Sequence, residues 1–470
     1  MNVGHVLRQQ ALLPRTVPLL IPSRLLSIVP HIMSTPAPPS EAPHVPIPSR
    51  GVDYRGKIVL APMVRSGELP SRLLALKYGA DLVWGPETVD RAMIGTEQRT
   101  NPRTGCIEWT RTPTNTQSSN KPNVESVIFR IDPARESSRL IYQIGTASPE
   151  YAVQAASLVA PYVSGIDVNA GCPKPFSTSG GMGAALLRTP DLLCSILTAL
   201  ITNVGVPNNI GISVKIRLLE TPELTSALVN QLCKTGIVGL TIHCRTTPMR
   251  PRERAIREQL RMIADICHSH GVACLMNGDV TSRDEGLSLA QEYGVDGAMI
   301  ATAAEANSSV FRTKEQGGLA PWQDVVKEYL ELAMSVENKW TNTKFLLSQL
   351  MPGKSPLYSP IQMSRSYVQA LSLLDITDAE IVKRAEATDR ALGLDCERIT
   401  KADVKRQNKQ ARRENQERNI QKKRALAESN GQTERLRSPS QERTKKQKAQ
   451  IAAENAGFKD VAKGALAVAV

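Results

Sequence analysis

Eight short runs rich in β-branched residues recur between residues 58 and 300, and helical segments separate most of them. They are 58–61 (IVLA), 81–84 (DLVW), 140–144 (LIYQI), 166–169 (IDVN), 212–217 (ISVKIR), 238–242 (VGLTI), 272–276 (VACLM) and 297–300 (GAMI). Amphipathic stretches at 70–78, 149–160, 190–202 and 222–235 lie between them. Eight strands alternating with helices over about 250 residues is the count of an α/β fold of the (β/α)8 TIM-barrel class, with parallel strands covered on both faces. A doubly wound sheet is the alternative. It normally has fewer strands and a glycine fingerprint after the first, which this chain lacks.

The rest of the chain divides around that unit. Residues 1–50 form a leader, 51–320 the barrel, 321–395 a small helical domain and 396–470 a basic tail. Residues 99–139 are rich in Thr, Asn, Pro and Arg and read as a long insertion after the second strand, a hairpin or lid. Helical periodicity without strand alternation predicts helices at 322–336, 338–350, 360–374 and 377–392. The net charge of +13 sits in the appendages: +10 over 401–450 and +3 over 1–50, with the middle neutral. Such a tail contacts polyanions such as nucleic acid, or is solvated without a specific partner. It has too little apolar surface to fold as a core, although a solvated helix can run to about residue 428.

The first 32 residues carry Arg8, Arg15 and Arg24 and no acid, the pattern of a mitochondrial presequence or of a disordered extension. Met33 opens a Ser/Thr/Pro/Ala-rich stretch, and a start there predicts a cytoplasmic or nuclear form. The eight cysteines form no C-x-x-C pair, so neither zinc nor a disulfide framework is expected, and a reducing compartment fits. No apolar run approaches 18 residues, so no membrane span is expected. Nothing in the sequence demands more than a monomer.

Functional side chains of barrels gather where strands end. The polar set at those positions is Met63 after the first strand, Gln143 in the third, and Asn169 and Cys172 after the fourth. Lys215 and Arg217 lie in the fifth, His243 and Arg245 after the sixth, Asn277 and Gly278 after the seventh, and Thr302 after the eighth. Together they offer amide, cation, imidazole and thiol groups to one mouth, which suits a planar polar ligand with a phosphate. Ordinary readings stand beside this one. Lys215 can snorkel to the rim, but a buried lysine without a partner is costly and a ligand anion answers it better. His243 alone reads first as a satisfied core histidine. Free cysteine is usually a small buried hydrophobe. Cys172, however, stands between Gly171 and Pro173 at a strand end, beside a loop (Gly180, Gly181, Gly183) whose backbone can approach a ligand closely.

The segments VLAPMVRSGELPSRLLALKYGADLVWGPE, YQIGT, IDVNAGCPKPFSTSGGMGAALL, SVKIRLL and LTIHCRTTPMRPRERA follow one another as in the flavin-dependent tRNA-dihydrouridine synthases. The resemblance runs over about residues 57–395, and NKWTNTKFLLSQL at 338–350 is similar to the eukaryotic subgroup acting on uridine 20 of the D-loop. It implies FMN as cofactor, NADPH or NADH as reductant, and tRNA as partner. The implied reaction delivers hydride from the flavin N5 to C6 of uridine, and a proton from Cys172, as general acid, to C5. By the same resemblance Pro62, Met63 and Val64 lie along the isoalloxazine, Gln143 meets its pyrimidine edge, and Lys215 stabilises the charge of the reduced ring. His243 contacts the ring or ribityl chain. Asn277, Gly278, Asp279, Ala301 and Thr302 hold the phosphate. Asn169, Lys174, Arg217, Arg245, Arg250, Arg252 and Arg254 form the substrate- and RNA-facing set, with the helical domain at 321–395 as a tRNA-binding domain and the basic tail as further RNA contacts.

The sequence departs from the family at three points. Thr302 stands where an arginine is usual, Asn277-Gly278-Asp279 replaces Asn-Gly-Gly, and Ser308 follows Asn307 where proline is common. These predict weaker FMN binding, or compensation by other cations. A flavin barrel reducing a small molecule, and a non-catalytic RNA-binding relative, are the alternative readings.

Overall fold

A computed structural model describes residues 45–112, 125–250, 252–353 and 355–394, together with Glu417. The expectations placed on the leader and on the basic tail fall outside the described residues.

Eight parallel strands close into a ring: β1 (Lys57–Leu60), β2 (Val83–Trp84), β3 (Leu140–Gly145), β4 (Gly165–Ala170), β5 (Gly211–Leu218), β6 (Gly239–Thr246), β7 (Ala273–Asn277) and β8 (Gly297–Ile300). Each pairs with its neighbour in sequence, β8 pairs with β1, and β2 pairs with β3 through Val83↔Leu140, so no edge remains. β2 is two residues long rather than the expected four. Asp81 instead turns its carboxylate to the Ile58 amide (2.8 Å) and to Arg283. β6 runs four residues further than expected, because His243 and Arg245 continue its inward alternation; its pairing with β5 slips between His243 and Thr246.

The strands read as apolar runs because both faces are buried. Inside the ring pack Val59, Trp84, Ile141, Leu275 and Met299, closed from below by Tyr54. Gly239 admits that plug: a Cβ there would lie 2.3 Å from Tyr54 Cδ2. Outside the ring, the apolar faces of the helices build the larger core. Their starts follow the sequence signals, with proline in the first turn and Ser148 or Thr221 accepting the amide three residues on. The stretch Pro190–Asn208 is long and apolar enough to cross a membrane, with mean hydropathy 1.3, contrary to the expectation from run length. Its hydropathy comes from scattered uncharged residues rather than an unbroken run. It is a barrel helix whose Leu193, Ile196, Leu197 and Leu200 are fully buried.

The insertion is a three-stranded antiparallel sheet (Glu97–Thr100, Ile107–Arg111, Ser126–Ile131). Its Trp109 and Phe129 stack toward Tyr142 of β3. It also grips the helical region: Arg103 pairs with Glu337, and Arg130 donates to the Val336 carbonyl (2.7 Å). A buried bidentate pair, Arg72 with Glu136 (both contacts 2.7 Å), ties the first barrel helix (Leu69–Lys77) to the end of the insertion. Arg72 further donates to the carbonyls of Gly67 and Arg130.

The helical region holds Trp322–Ser335, Trp340–Leu350, Tyr358–Met363, Tyr367–Leu373 and Ala379–Ala391. The single helix expected at 360–374 is two. Ser364 leaves the helix with extended backbone, and Ser366 caps the next one by accepting from the Gln369 amide.

Candidate active site

The C-terminal strand ends open into a cleft of about 440 Å³, lined by Met63, Gln143, Asn169, Cys172, Lys215 and His243 among others. Strand register explains why these residues meet. Asn169 on β4 lies opposite Lys215 on β5, Lys215 opposite Thr241 on β6, and His243 opposite both Arg217 and Asn277. Inward residues at alternate positions therefore stack in layers, with Ser213 lowest, Lys215 above it and Arg217 at the top.

The lowest layer is a closed polar network. Asp167 is fully buried and accepts from Gln143 Nε2 (2.8 Å) and Ser213 Oγ (2.7 Å), and Tyr54 donates in turn to Ser213 (3.2 Å). Burial pushes Asp167 up to about 6, against the opposing pull of those donors and of the Lys215 charge. An ionised carboxylate only accepts, so the Gln143 amide nitrogen is committed to it and Oε1 is left to meet a ligand N–H.

Above it, the Lys215 ammonium donates to Asn277 Oδ1 (2.9 Å), and Asn277 Nδ2 donates to the Met299 carbonyl (2.9 Å). Burial, seconded by Arg217, pulls Lys215 down to about 8. His243 is pulled down to about 2 by burial and by the cations of Lys215, Arg217 and Arg245, so its ring is neutral. Arg245 Nη1 lies 3.3 Å from His243 Nε2. A guanidinium only donates, so Nε2 accepts and the ring proton sits on Nδ1.

The loop carrying Cys172 is held through backbone atoms. Asn169 Oδ1 accepts the amides of Gly171 (3.0 Å) and Cys172 (3.1 Å). Arg217 donates to the Gly171 carbonyl (2.7 Å), and the Ala184 amide to that of Cys172 (2.9 Å). Burial raises the thiol above the ordinary cysteine range; the Lys174 amide opposes this and the Glu87 charge adds to it.

The residues expected to face RNA separate into two groups. Lys174, Arg250, Arg252 and Arg254 are exposed on the rim. Arg217 and Arg245 are buried and engaged: Arg217 with the carbonyls of Gly171 and Thr246, Arg245 with the Glu253 carbonyl and Asp279. They build the floor that the rim stands on. Asn169 likewise spends its side-chain oxygen on the loop.

Of the expected phosphate residues, Asn277 and Ala301 line the cleft, and Thr302 opens the short helix Thr302–Ala306. Gly278 (φ +129°) and Asp279 (φ +51°) form a turn in the left-handed region. Burial works against the Asp279 charge, but Arg245 (2.5 Å) and the Ala255 amide (2.7 Å) hold its carboxyl below the usual range. The acid that departs from the family pattern is thus neutralised in place. Arg257 donates to the Asp279 carbonyl (2.8 Å), and its Nε is buried without a partner.

Three polar cleft residues escape the sequence reading: Ser66 and Glu305, which hydrogen-bond to each other, and Glu87. Glu87 follows β2, lines the cleft, and accepts from Ser177 Oγ (2.9 Å). The signal was available, since it is a polar residue at a strand end like Gln143 and Asn169. Phe176 (51% exposed) and Val64 (47%) stand as apolar groups at the mouth.

Comparison with known proteins follows this geometry. Residues 59–356 match the family model described as dihydrouridine synthase. The chain is 51% identical over 305 residues to tRNA-dihydrouridine(20) synthase (NAD(P)+) of Schizosaccharomyces pombe, covering 64% of this chain and 61% of that protein. It is 46% identical over 312 residues to the Saccharomyces cerevisiae protein of the same name, covering 65% and 80%. Against tRNA-dihydrouridine(16/17) synthase (NAD(P)(+)) of S. pombe the identity is 27% over 312 residues, covering 65% and 71%. The chain spans less than two thirds of the fission-yeast (20) relative that it matches. On the matched segment and the barrel that carries it, this chain belongs to the dihydrouridine synthase family.

Proposed function

We propose that the protein reduces a uridine of tRNA to 5,6-dihydrouridine, at position 20, with FMN as resident cofactor and NADPH or NADH as reductant. The observation that carries this reading is the Cys172 thiol, raised by burial and fixed by its backbone, in one cleft with a buried ammonium and a neutral imidazole. The residues present suit a flavin. Ala61, Pro62 and Met63 offer an apolar wall, Gln143 an acceptor, Lys215 a cation and His243 a ring N–H. The paired Asp279 and the unpartnered Nε of Arg257 suit a phosphate at the Gly278 turn, which follows β7 as in other barrels. Position 20 is supported by identities of 51% and 46% to relatives named for that site, against 27% to one named for 16/17.

A bound flavin supplies hydride transfer. The chain's own residues do the rest. Cys172 holds the proton destined for C5, and its raised proton affinity keeps that proton in place at neutral pH. Lys215 offers positive charge where charge accumulates on a reduced flavin ring. Lys174, Arg250, Arg252 and Arg254 on the rim meet phosphates, which makes binding salt-dependent.

The test is incubation of purified protein, started at Met33, with NADPH and tRNA lacking dihydrouridine, followed by mapping of the product. Dihydrouridine at position 20 is the expected result. A yellow protein that oxidises NADPH but yields no dihydrouridine overturns the tRNA reading, and product at another position overturns the site. A second expected result concerns pH. Lys215 is charged below about 8 and loses its proton above it. FMN affinity of the apo-protein, read by fluorescence quenching, is expected to fall as pH rises through 8. In Lys215→Gln that step should vanish.

A further inference from the structure

Glu87 and Glu305 are the acids of the cleft to which the proposed chemistry gives no task, and Glu305 is engaged by Ser66. Burial raises the Glu87 carboxyl, and the neighbouring Ser177, Cys172 and Asn169 oppose that and favour the charged form. Oε1 accepts from Ser177 Oγ, whereas Oε2 is buried and has no hydrogen-bond partner among the described residues. Ser177 belongs to the short helix Pro175–Thr178 that directly follows Cys172, and its Oγ would lie 2.4 Å from a Cβ built on Gly183, where the Cys172 carbonyl would also be 2.6 Å away. The carboxylate, the hydroxyl and the thiol-bearing turn thus converge on one point of the cleft wall. Gly145, behind Glu87, makes room for the carboxylate: a Cβ there would lie 2.5 Å from Oε1. A buried oxygen without a donor is costly, so its position calls for a proton nearby.

Burial is the largest influence that keeps the thiol protonated, and the charges around it shift that balance. Two cations, Lys215 and Arg217, face Cys172 from β5, and the Lys174 amide lies on its own loop. Alone, these would favour the thiolate, as cations do at reactive cysteines. A thiolate cannot donate a proton to carbon. Against them, Glu87 is the acid whose charge acts on the thiol.

We propose that Glu87 is a positioning residue for the Cys172 proton: its carboxylate, anchored through Ser177, offsets the cations of β5 and keeps the thiol in its protonated, proton-donating form. This rests on the reading of Cys172 as a general acid, yet its test does not depend on turnover.

The experiment is alkylation of the full-length protein by iodoacetamide between pH 6 and 10, with modification of Cys172 followed by peptide mass spectrometry. In Glu87→Gln the reactivity midpoint of Cys172 should move down by about one pH unit, which means about tenfold faster alkylation at neutral pH. Glu87→Asp, which keeps the charge, should stay near the wild-type midpoint. An unchanged midpoint in a folded Glu87→Gln protein, or equal displacement in Gln and Asp, overturns the proposal. Should Glu87→Gln fail to fold, Glu87→Ala decides, because it removes the same charge and leaves Ser177 in place: a lowered midpoint supports the proposal and an unchanged one overturns it. Loss of dihydrouridine formation with normal alkylation behaviour in the wild type would strike the proposed function, not this assignment.

Discussion

Cys172→Ala is expected to leave the fold, the flavin content and NADPH oxidation intact while cutting dihydrouridine formation by about 10²–10⁴-fold, the usual contribution of a positioned general acid. The expectation follows from how the residue is held. The loop is fixed through the amides of Gly171 and Cys172 and through both their carbonyls, none of which involves the thiol. Removing sulfur therefore deletes the proposed proton donor without releasing its support. Product at the wild-type rate would show that the proton comes from elsewhere. A parallel loss of flavin would show that the thiol is structural.

Arg72→Met is expected to destabilise the protein by about 3–5 kcal/mol, because it leaves Glu136 charged, buried and unpaired. Arg72 is 1% exposed and also satisfies the carbonyls of Gly67 and Arg130. Denaturant midpoints at constant slope would measure the loss. The double variant Arg72→Met with Glu136→Gln should cost less than the sum of the two single changes, since the stranded charge is gone. Additive losses would mean that the pair is not coupled. Gly67 ends the segment that carries Met63, so the single variant should also weaken flavin binding.

Much of this architecture can be read from the chain. Parallel strands buried on both faces leave apolar runs that need no partner to be recognised, and proline or Ser/Thr at helix starts marks the turns between them. The layers of the cleft were half legible: Ser213, Lys215 and Arg217 share parity, which puts them on one face of β5. Parity does not say that Arg217 is consumed by a carbonyl 46 residues earlier. The same limit hid the Asp279–Arg245 pair, 34 residues apart, which turns an apparent obstacle to a phosphate into a neutral one. Glu87 is legible as a polar residue at a strand end, but its pairing with Ser177, 90 residues away, is not. Long-range polar pairing has no period, so no pattern in the chain announces it.

The segment between β1 and the first helix is grasped from outside the barrel. Arg65, at φ +73°, lies over the Phe345 ring (4.1 Å), and Asn342 donates to Glu68 (3.1 Å). Both partners sit on one helix, Trp340–Leu350, of the C-terminal region. Met63 and Val64, which line the cleft, lie just before these two grips. A force applied to that helix is thus delivered to the cleft wall over a few covalent bonds. That helix and the cleft wall are, mechanically, a single lever with its fulcrum at residues 65–68.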